Sequence, residues 1–276
     1  MNALYDSDGA KLVYRDHGSG LPVIFLHPTP LDGEYWQPLT EALAGVRAIV
    51  PDLRGHGGSE LGTLPAGGFA AVPDVPVLTM ARLGADIIAL LNHLRLREAI
   101  LCGCSIGGNV LLELWRQVPE RVRGMAFVCA KPQPDGESNL APRIAAINQA
   151  RSGGREAFFD RAAETLAGAT SRSRHPEITA QLRARMTISA EALAAVQAGL
   201  ATRPDSVPTV ATITVPVLAI AGGEDAGATP AQVEAFLAAP GGCEFHLLAD
   251  AGHLAAYEQP STVAALLAAW LRRFAG

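Results

Sequence analysis

The chain has 276 residues, 49% hydrophobic and 18% charged, which is enough for one large domain or a core with a smaller insertion. A formal net charge of -5 and the lack of any clustered Lys/Arg run exclude the dense basic footprint that nucleic-acid phosphates demand. The opening residues, Met1-Asn2-Ala3-Leu4-Tyr5-Asp6, show no basic region followed by an apolar one, and no stretch reaches about 18 uncharged apolar residues, so a cytoplasmic protein without membrane contact is expected.

In chain order, short apolar runs alternate with amphipathic stretches. Strands are predicted at Lys11 to Arg15 and Val23 to Leu26, then a helix near Trp36 to Leu43 and a strand at Ala48 to Val50. Gly62 to Val77, rich in Gly, Pro and Ala, is too broken for regular structure and reads as a mobile loop. A helix near Met80 to Leu94 leads to a strand at Ala99 to Cys102, a helix at Gly107 to Gln117 and a strand at Gly124 to Cys129. The rhythm breaks between Lys131 and Pro208, where helical patterns occur without a convincing strand. It resumes with strands at Val217 to Ala221 and Glu244 to Leu248 and helices at Pro230 to Leu237 and Ser261 to Phe274. Such alternation is the signature of βα units in a mostly parallel sheet with helices on both faces, an α/β fold. The expected organisation is a core from 1–130, a helical cap from 131–208 over the carboxyl ends of the strands, and the remainder of the core from 209–276.

Gly103-Cys104-Ser105-Ile106-Gly107 stands between an apolar strand-like run and a helical pattern, which is the layout of a nucleophile elbow. A sharp strand-to-helix turn lifts the serine hydroxyl clear of the sheet, and glycines two residues to either side let neighbouring backbone pass without Cβ clashes. A serine hydroxyl needs a base to take its proton during attack. His253, in Asp250-Ala251-Gly252-His253-Leu254, is the leading candidate, because its loop follows a predicted strand and can reach the elbow. An imidazole that cycles through its charged form needs an acceptor on its other nitrogen. Asp225, after the strand Val217 to Ala221, is favoured for this, with Glu224 and Asp135 as competitors. Asp250 is expected to cap its local turn instead. Backbone N–H groups aimed at a developing oxyanion contribute about 3 kcal/mol each. Ile106 and Thr29 are the candidate donors, since Pro28 and Pro30 beside Thr29 have no N–H. The Thr29 hydroxyl offers either a second bond to the oxyanion or support for its turn.

Leu26-His27-Pro28-Thr29-Pro30, Asp52-Leu53-Arg54-Gly55-His56-Gly57, Gly103-Cys104-Ser105-Ile106-Gly107-Gly108, Gly223-Glu224-Asp225 and Gly252-His253-Leu254 together resemble the α/β-hydrolase superfamily, in order along nearly the whole chain. The resemblance implies the α/β-hydrolase fold, with Ser105, Asp225 and His253 as nucleophile, acid and base, and His56 in a structural turn. Within the superfamily, Ala81-Arg82-Leu83-Gly84-Ala85-Asp86, Arg143-Ile144-Ala145-Ala146, Ala251-Gly252-His253-Leu254 and Glu258-Gln259-Pro260 resemble 3-oxoadipate enol-lactonases and small esterases. Pro28 departs from the usual His-Gly, and Ile106 from the usual Met, Leu or Gln. Haloalkane dehalogenases and nucleophile-type epoxide hydrolases would have Asp where Ser105 stands.

The implied function is that of a serine hydrolase acting on a small carboxylic ester or lactone. The alternatives are a non-hydrolytic enzyme on the same fold, such as a cofactor-independent oxygenase or a cyclase or lyase, and a ligand-binding pseudoenzyme. Four cysteines, Cys102, Cys104, Cys129 and Cys243, lack metal or disulfide spacing and read as reduced thiols in apolar surroundings. Neither a phosphate-binding nor a dinucleotide motif occurs, and the histidines are dispersed, so no cofactor and no metal are expected. The expected partner is a small-molecule substrate, with a homodimer as the candidate assembly.

Overall fold

A computed structural model describes residues 2–65 and 67–274. Met1 of the expected N-terminus and Ala66 of the expected loop lie outside the described residues. The strands are β1 (Asn2–Ser7), β2 (Ala10–Gly18), β3 (Leu21–Leu26), β4 (Val46–Pro51), β5 (Ala99–Cys104), β6 (Val122–Val128), β7 (Val217–Gly222) and β8 (Cys243–Leu248). They form one sheet in the order β1-β2-β4-β3-β5-β6-β7-β8. β1 with β2 and β2 with β4 pair antiparallel, and every pair from β4 across to β8 is parallel.

Strand burial follows from this order. The central strands β5 and β7 are buried at every residue, as sequences such as Val217-Leu218-Ala219-Ile220-Ala221-Gly222 require when helices cover both faces. β1 went unpredicted because it is an edge strand: only Tyr5 and Ser7 of Asn-Ala-Leu-Tyr-Asp-Ser are buried, so its apolar alternation is weak.

The helices α1 (Gln37–Glu41), α2 (Met80–His93) and α3 (Ile106–Gln117) lie between the strands of the first half. α2 starts where the Thr79 hydroxyl accepts from the Arg82 N–H, and it buries the stripe Leu83, Ile87, Leu90 and Leu91. The expected helix Trp36 to Leu43 is shorter, a 3-10 turn over Gly33–Trp36 running into α1. Likewise Pro230 to Leu237 divides into a short helix over Pro230–Val233 and a 3-10 turn over Glu234–Ala238.

Between β6 and β7 the chain forms α4 (Glu137–Arg151), α5 (Arg155–Leu166), α6 (Ala169–Arg174), α7 (Ile178–Ala184), α8 (Ala190–Ala201) and α9 (Val207–Val210), with no strand among the described residues. After β7 come α10 (Pro230–Val233), α11 (Ala255–Glu258) and α12 (Pro260–Leu271). The segment Gly62 to Val77 is irregular, as expected, but it is anchored: Phe69, Val72, Val75 and Val77 are buried, and the adjoining Leu78 N–H donates to the Ala195 carbonyl of α8.

Register brings the site together. Gly103 of β5 lies level with Leu26 of β3 on one side and Phe127 of β6 on the other, and Val128 is level with Ile220 of β7. The loops after β3, β5, β6 and β7 therefore leave the same end of the sheet, where parallel strands expose their carboxyl termini.

Candidate active site

Ser105 sits between β5 and α3 with φ 53° and ψ -118°, in backbone space that non-glycine residues seldom occupy. The glycines around it are there for space. A Cβ on Gly103 would stand 2.5 Å from the Gly107 carbonyl carbon, one on Gly107 would stand 2.2 Å from the Leu26 oxygen, and one on Gly108 would stand 2.4 Å from the Ala130 Cβ. The elbow is thus wedged between the ends of β3 and β6, and the Ser105 N–H donates to the Val128 carbonyl.

The Ser105 hydroxyl reaches His253 Nε2 at 2.8 Å, and His253 Nδ1 reaches Asp225 Oδ2 at 2.8 Å. A carboxylate is acceptor-only, so Nδ1 carries the proton and Nε2 is left to accept from Ser105. Asp225 is buried, and its other oxygen accepts from the Gly227 and Ala228 N–H groups at 2.7 and 3.0 Å. The structure therefore brings Ser105, Asp225 and His253 together from three strand ends. It does not bring the competing acids to the imidazole. Glu224 accepts from the N–H and hydroxyl of Thr170, and Asp135 pairs with Arg143 and Arg203. Asp250 pairs with Arg174 at 3.0 Å, which corrects the expected turn-capping role: a cation on α6 competes for a carboxylate that is half exposed.

Glu258 has a positional role that the sequence did not signal. Its carboxylate accepts from the N–H groups of Gly168, Gly252 and Leu254 at 2.9 to 3.1 Å, fastening both sides of the His253 peptide to the start of α6. The His253 N–H itself donates to the Leu166 carbonyl at the end of α5. Gly252 permits this approach, because a Cβ there would lie 2.3 Å from the Gly168 nitrogen. The motif places Glu258 in α11, but only the fold reveals what it holds.

Thr29 lines the same cavity as Ser105, whereas the Ile106 side chain is buried beside it in the core. Among the described residues neither the Thr29 nor the Ile106 N–H has an acceptor. The Thr29 hydroxyl lies 3.0 Å from His56 Nε2, and His56 Nδ1 lies 3.0 Å from the Arg54 carbonyl. Nδ1 must donate to that carbonyl, so Nε2 accepts and Thr29 donates. Burial, with the positive charge His27 would carry, pushes the His56 pKa down to about 3 and keeps the ring neutral. His27 is likewise lowered by burial; its Nε2 accepts from the Leu53 N–H while Nδ1 donates to the Pro28 carbonyl. Both histidines therefore brace the turns around Thr29.

Cys104, Cys129 and Cys102 are buried free thiols, with Cys243 partly exposed. Burial pushes the Cys104 and Cys129 thiols far above the ordinary range, so they stay protonated beside Ser105. Cys104 accepts from the Tyr35 hydroxyl at 3.3 Å and Cys129 donates to the Gly252 carbonyl at 3.4 Å, which makes them packing groups.

The cavity over Ser105 has a volume of about 640 Å³ and is lined from both the sheet end and the inserted helices, including Phe158, Ala162 and Leu166 of α5. This is room for a small molecule. Among the described residues no helix is long and apolar enough to cross a membrane.

An eight-stranded, mostly parallel sheet with a strained serine at a strand-to-helix turn is the architecture of the α/β hydrolases. The chain belongs to that family: the model of the alpha/beta hydrolase family matches residues 23–266. It is similar over 99% of its length to the solved structure of a malate-bound thermophilic esterase from Thermogutta terrifontis, with 30% identity, a TM-score of 0.88 and 98% of that chain covered. The enol-lactonase from Burkholderia xenovorans LB400 superposes with a TM-score of 0.85 at 25% identity over 98% of this chain and 100% of that one. A non-heme chloroperoxidase of Streptomyces lividans is 35% identical over 147 residues, 51% of this chain and 49% of that protein. The chain spans about half the length of the curated relatives it matches, or less.

Proposed function

We propose that the protein is a serine hydrolase that cleaves a small carboxylic ester or lactone through an acyl-enzyme on Ser105. The observation that carries this reading is the continuous 2.8 Å relay from Ser105 through His253 to a buried Asp225. In this reading Ser105 Oγ attacks the carbonyl carbon as its proton passes to His253 Nε2, and Asp225 stabilises the imidazolium. The Thr29 and Ile106 N–H groups, which have no acceptor among the described residues, receive the oxyanion. His253 returns the proton to the leaving alkoxide. Water, deprotonated by the same nitrogen, then attacks the acyl carbon, and the carboxylic acid departs as Ser105 regains its proton. Residues 131–208 act as a cap that sets which substrates enter.

Likeness to an esterase and an enol-lactonase over nearly the full chain supports ester or lactone chemistry. The serine at position 105 distinguishes the chain from enzymes that build an ester on an aspartate, and the buried thiols supply no competing nucleophile. A fluorophosphonate probe should label the protein at Ser105, and labelling should vanish in Ser105→Ala. Turnover of p-nitrophenyl esters and small lactones should fall by at least about 10³-fold in that variant. Turnover that survives in Ser105→Ala but is lost in His253→Ala would instead support a non-hydrolytic enzyme on this fold. Tight ligand binding without turnover by the unaltered protein would support a receptor.

A further inference from the structure

β8 is the last strand of the sheet, and among the described residues no strand pairs beyond it. Its orientation is set by β7: Val217 lies level with Cys243 and donates to the Gly242 carbonyl, and Gly223 donates to the Leu248 carbonyl. Along a strand the backbone N–H and C=O groups of successive residues turn to opposite sides. Those of Glu244, His246 and Leu248 therefore meet β7. Those of Cys243, Phe245 and Leu247 point away from the sheet, where none has a backbone partner among the described residues.

Exposed edges are commonly guarded by a lysine, a proline or a bulge. Cys243-Glu244-Phe245-His246-Leu247-Leu248 contains no lysine and no proline, and its register with β7 runs without a shift. Every residue of β8 is at least partly exposed, whereas β7 is buried throughout, and Leu247 is 52% exposed. Of the four large apolar side chains exposed among the described residues, two are Leu247 and Leu237, the latter in the 3-10 turn that packs against β8. The edge is thus both open and apolar.

We propose that β8 is a self-pairing edge, onto which a second copy of the chain adds its own β8 antiparallel about a two-fold axis. The outward groups of Cys243, Phe245 and Leu247 set the register: Phe245 faces Phe245 of the other copy, Cys243 faces its Leu247 and Glu244 faces its His246. Each outward residue then exchanges backbone hydrogen bonds with the residue opposite, and the two phenyl rings meet on one face. On the other face each Glu244 carboxylate lies beside an imidazole of the second copy, and this charge complementarity favours a second copy as the occupant. Within one copy Glu244 already accepts from His246 Nε2 at 2.9 Å and from Arg273 at 2.8 Å, so the paired edges gather carboxylates, imidazoles and guanidiniums into one cluster. A pairing centred on Leu247 would instead set Glu244 against Asp250, two like charges.

Sedimentation of the 28.8 kDa chain should show a dimer of twice that mass at about 10–100 μM. Leu247→Cys puts a thiol opposite the native Cys243 of the second copy at a Cα separation of about 5.5 Å, within disulfide range, so mild oxidation should link two chains on a non-reducing gel. Adding Cys243→Ser should abolish the link. Leu247→Pro removes an outward N–H that β7 does not use and should raise the dissociation constant at least about tenfold, with Leu247→Lys as the alternative should the proline protein fail to fold. Leu4→Lys, on the opposite edge strand β1, should leave the dimer unchanged. A monomer throughout that concentration range overturns the self-pairing and leaves the edge to a strand of another protein. A dimer that resists both Leu247→Pro and Leu247→Lys, or a Leu247→Cys protein that stays unlinked, shows that the copies meet elsewhere and overturns it too. None of these readouts depends on Ser105 chemistry, so the self-pairing and the hydrolase reading stand or fall separately.

Discussion

Ser105 illustrates how the packing of strand ends sets the conformation of a single residue. Its φ of 53° with ψ -118° costs on the order of 1–3 kcal/mol for a residue with a Cβ, and the surrounding strand ends hold it there regardless. Glycine tolerates that geometry but loses about 0.5–1 kcal/mol more backbone entropy on folding. Ser105→Gly is therefore expected to stabilise the fold by about 1 kcal/mol, a rise in Tm of roughly 2–4 °C, while removing all fluorophosphonate labelling. A calorimetric Tm at or below the wild-type value would show that the turn is unstrained. The same logic separates Thr29 from its neighbours. Its hydroxyl is spent on His56, so only its N–H is left to face the cavity.

At the scale of elements, the elbow works because β5 and α3 meet β3 with no side chain between them. The Leu26 oxygen occupies the place that a Cβ at Gly107 would take, at 2.2 Å, and that neighbour is backbone in a buried parallel strand, which cannot swing aside. Gly107→Ala should therefore cost more than about 3 kcal/mol or leave the protein insoluble. Gly136→Ala, where a Cβ meets nothing within 4 Å, serves as the control and should shift the urea midpoint little. A near-wild-type midpoint for Gly107→Ala would mean that α3 can slide along β3, and the proposed alignment of the Ile106 and Thr29 N–H groups would lose its basis. Glu258 and the Leu166 carbonyl act at this scale too, since they tie α11, α5 and α6 to one loop and so couple the inserted helices to His253.

Across the whole molecule, the most consequential buried titrating groups are His27 and His56, whose rings lie 5.1 Å apart, centre to centre, under the turns after β3 and β4. Both have folded-state pKa values below the unfolded value of about 6.5, His56 at about 3. Below pH 6.5 the unfolded chain binds protons that the folded protein refuses. Stability is therefore full above about pH 6.5 and is lost as pH falls, at up to about 1.4 kcal/mol per pH unit for each histidine. Urea midpoints measured from pH 8 to pH 4 should be flat with respect to these groups at first and then decline. A His56→Gln variant should decline with roughly one proton less of slope. Identical slopes for the two proteins would show that His56 does not stay neutral in the fold. The buried Asp135 pair with Arg203 and Arg143 joins the entry, the first helix and the exit of the inserted segment, so that segment is held by charge as well as by apolar packing.

Much of this was legible in the sequence because it rests on local pattern. Seven of the eight strands were readable from apolar runs between turn signals, and Ser105, Asp225 and His253 from their places just beyond such runs. β1 was not, since an edge strand with one wet face gives little periodicity. What occupies the competitors Glu224 and Asp135 was not legible either, since that depends on Thr170 and on arginines brought near only by folding. The role of Glu258 was likewise invisible, because a partner 90 residues away is met only after folding. Sequence by itself determined the α/β architecture and put forward Ser105, Asp225 and His253 as candidates, through periodicity and short-range steric demand. Tertiary structure alone decided which buried charges pair with which, because the pairing of buried charges is a property of three-dimensional neighbours.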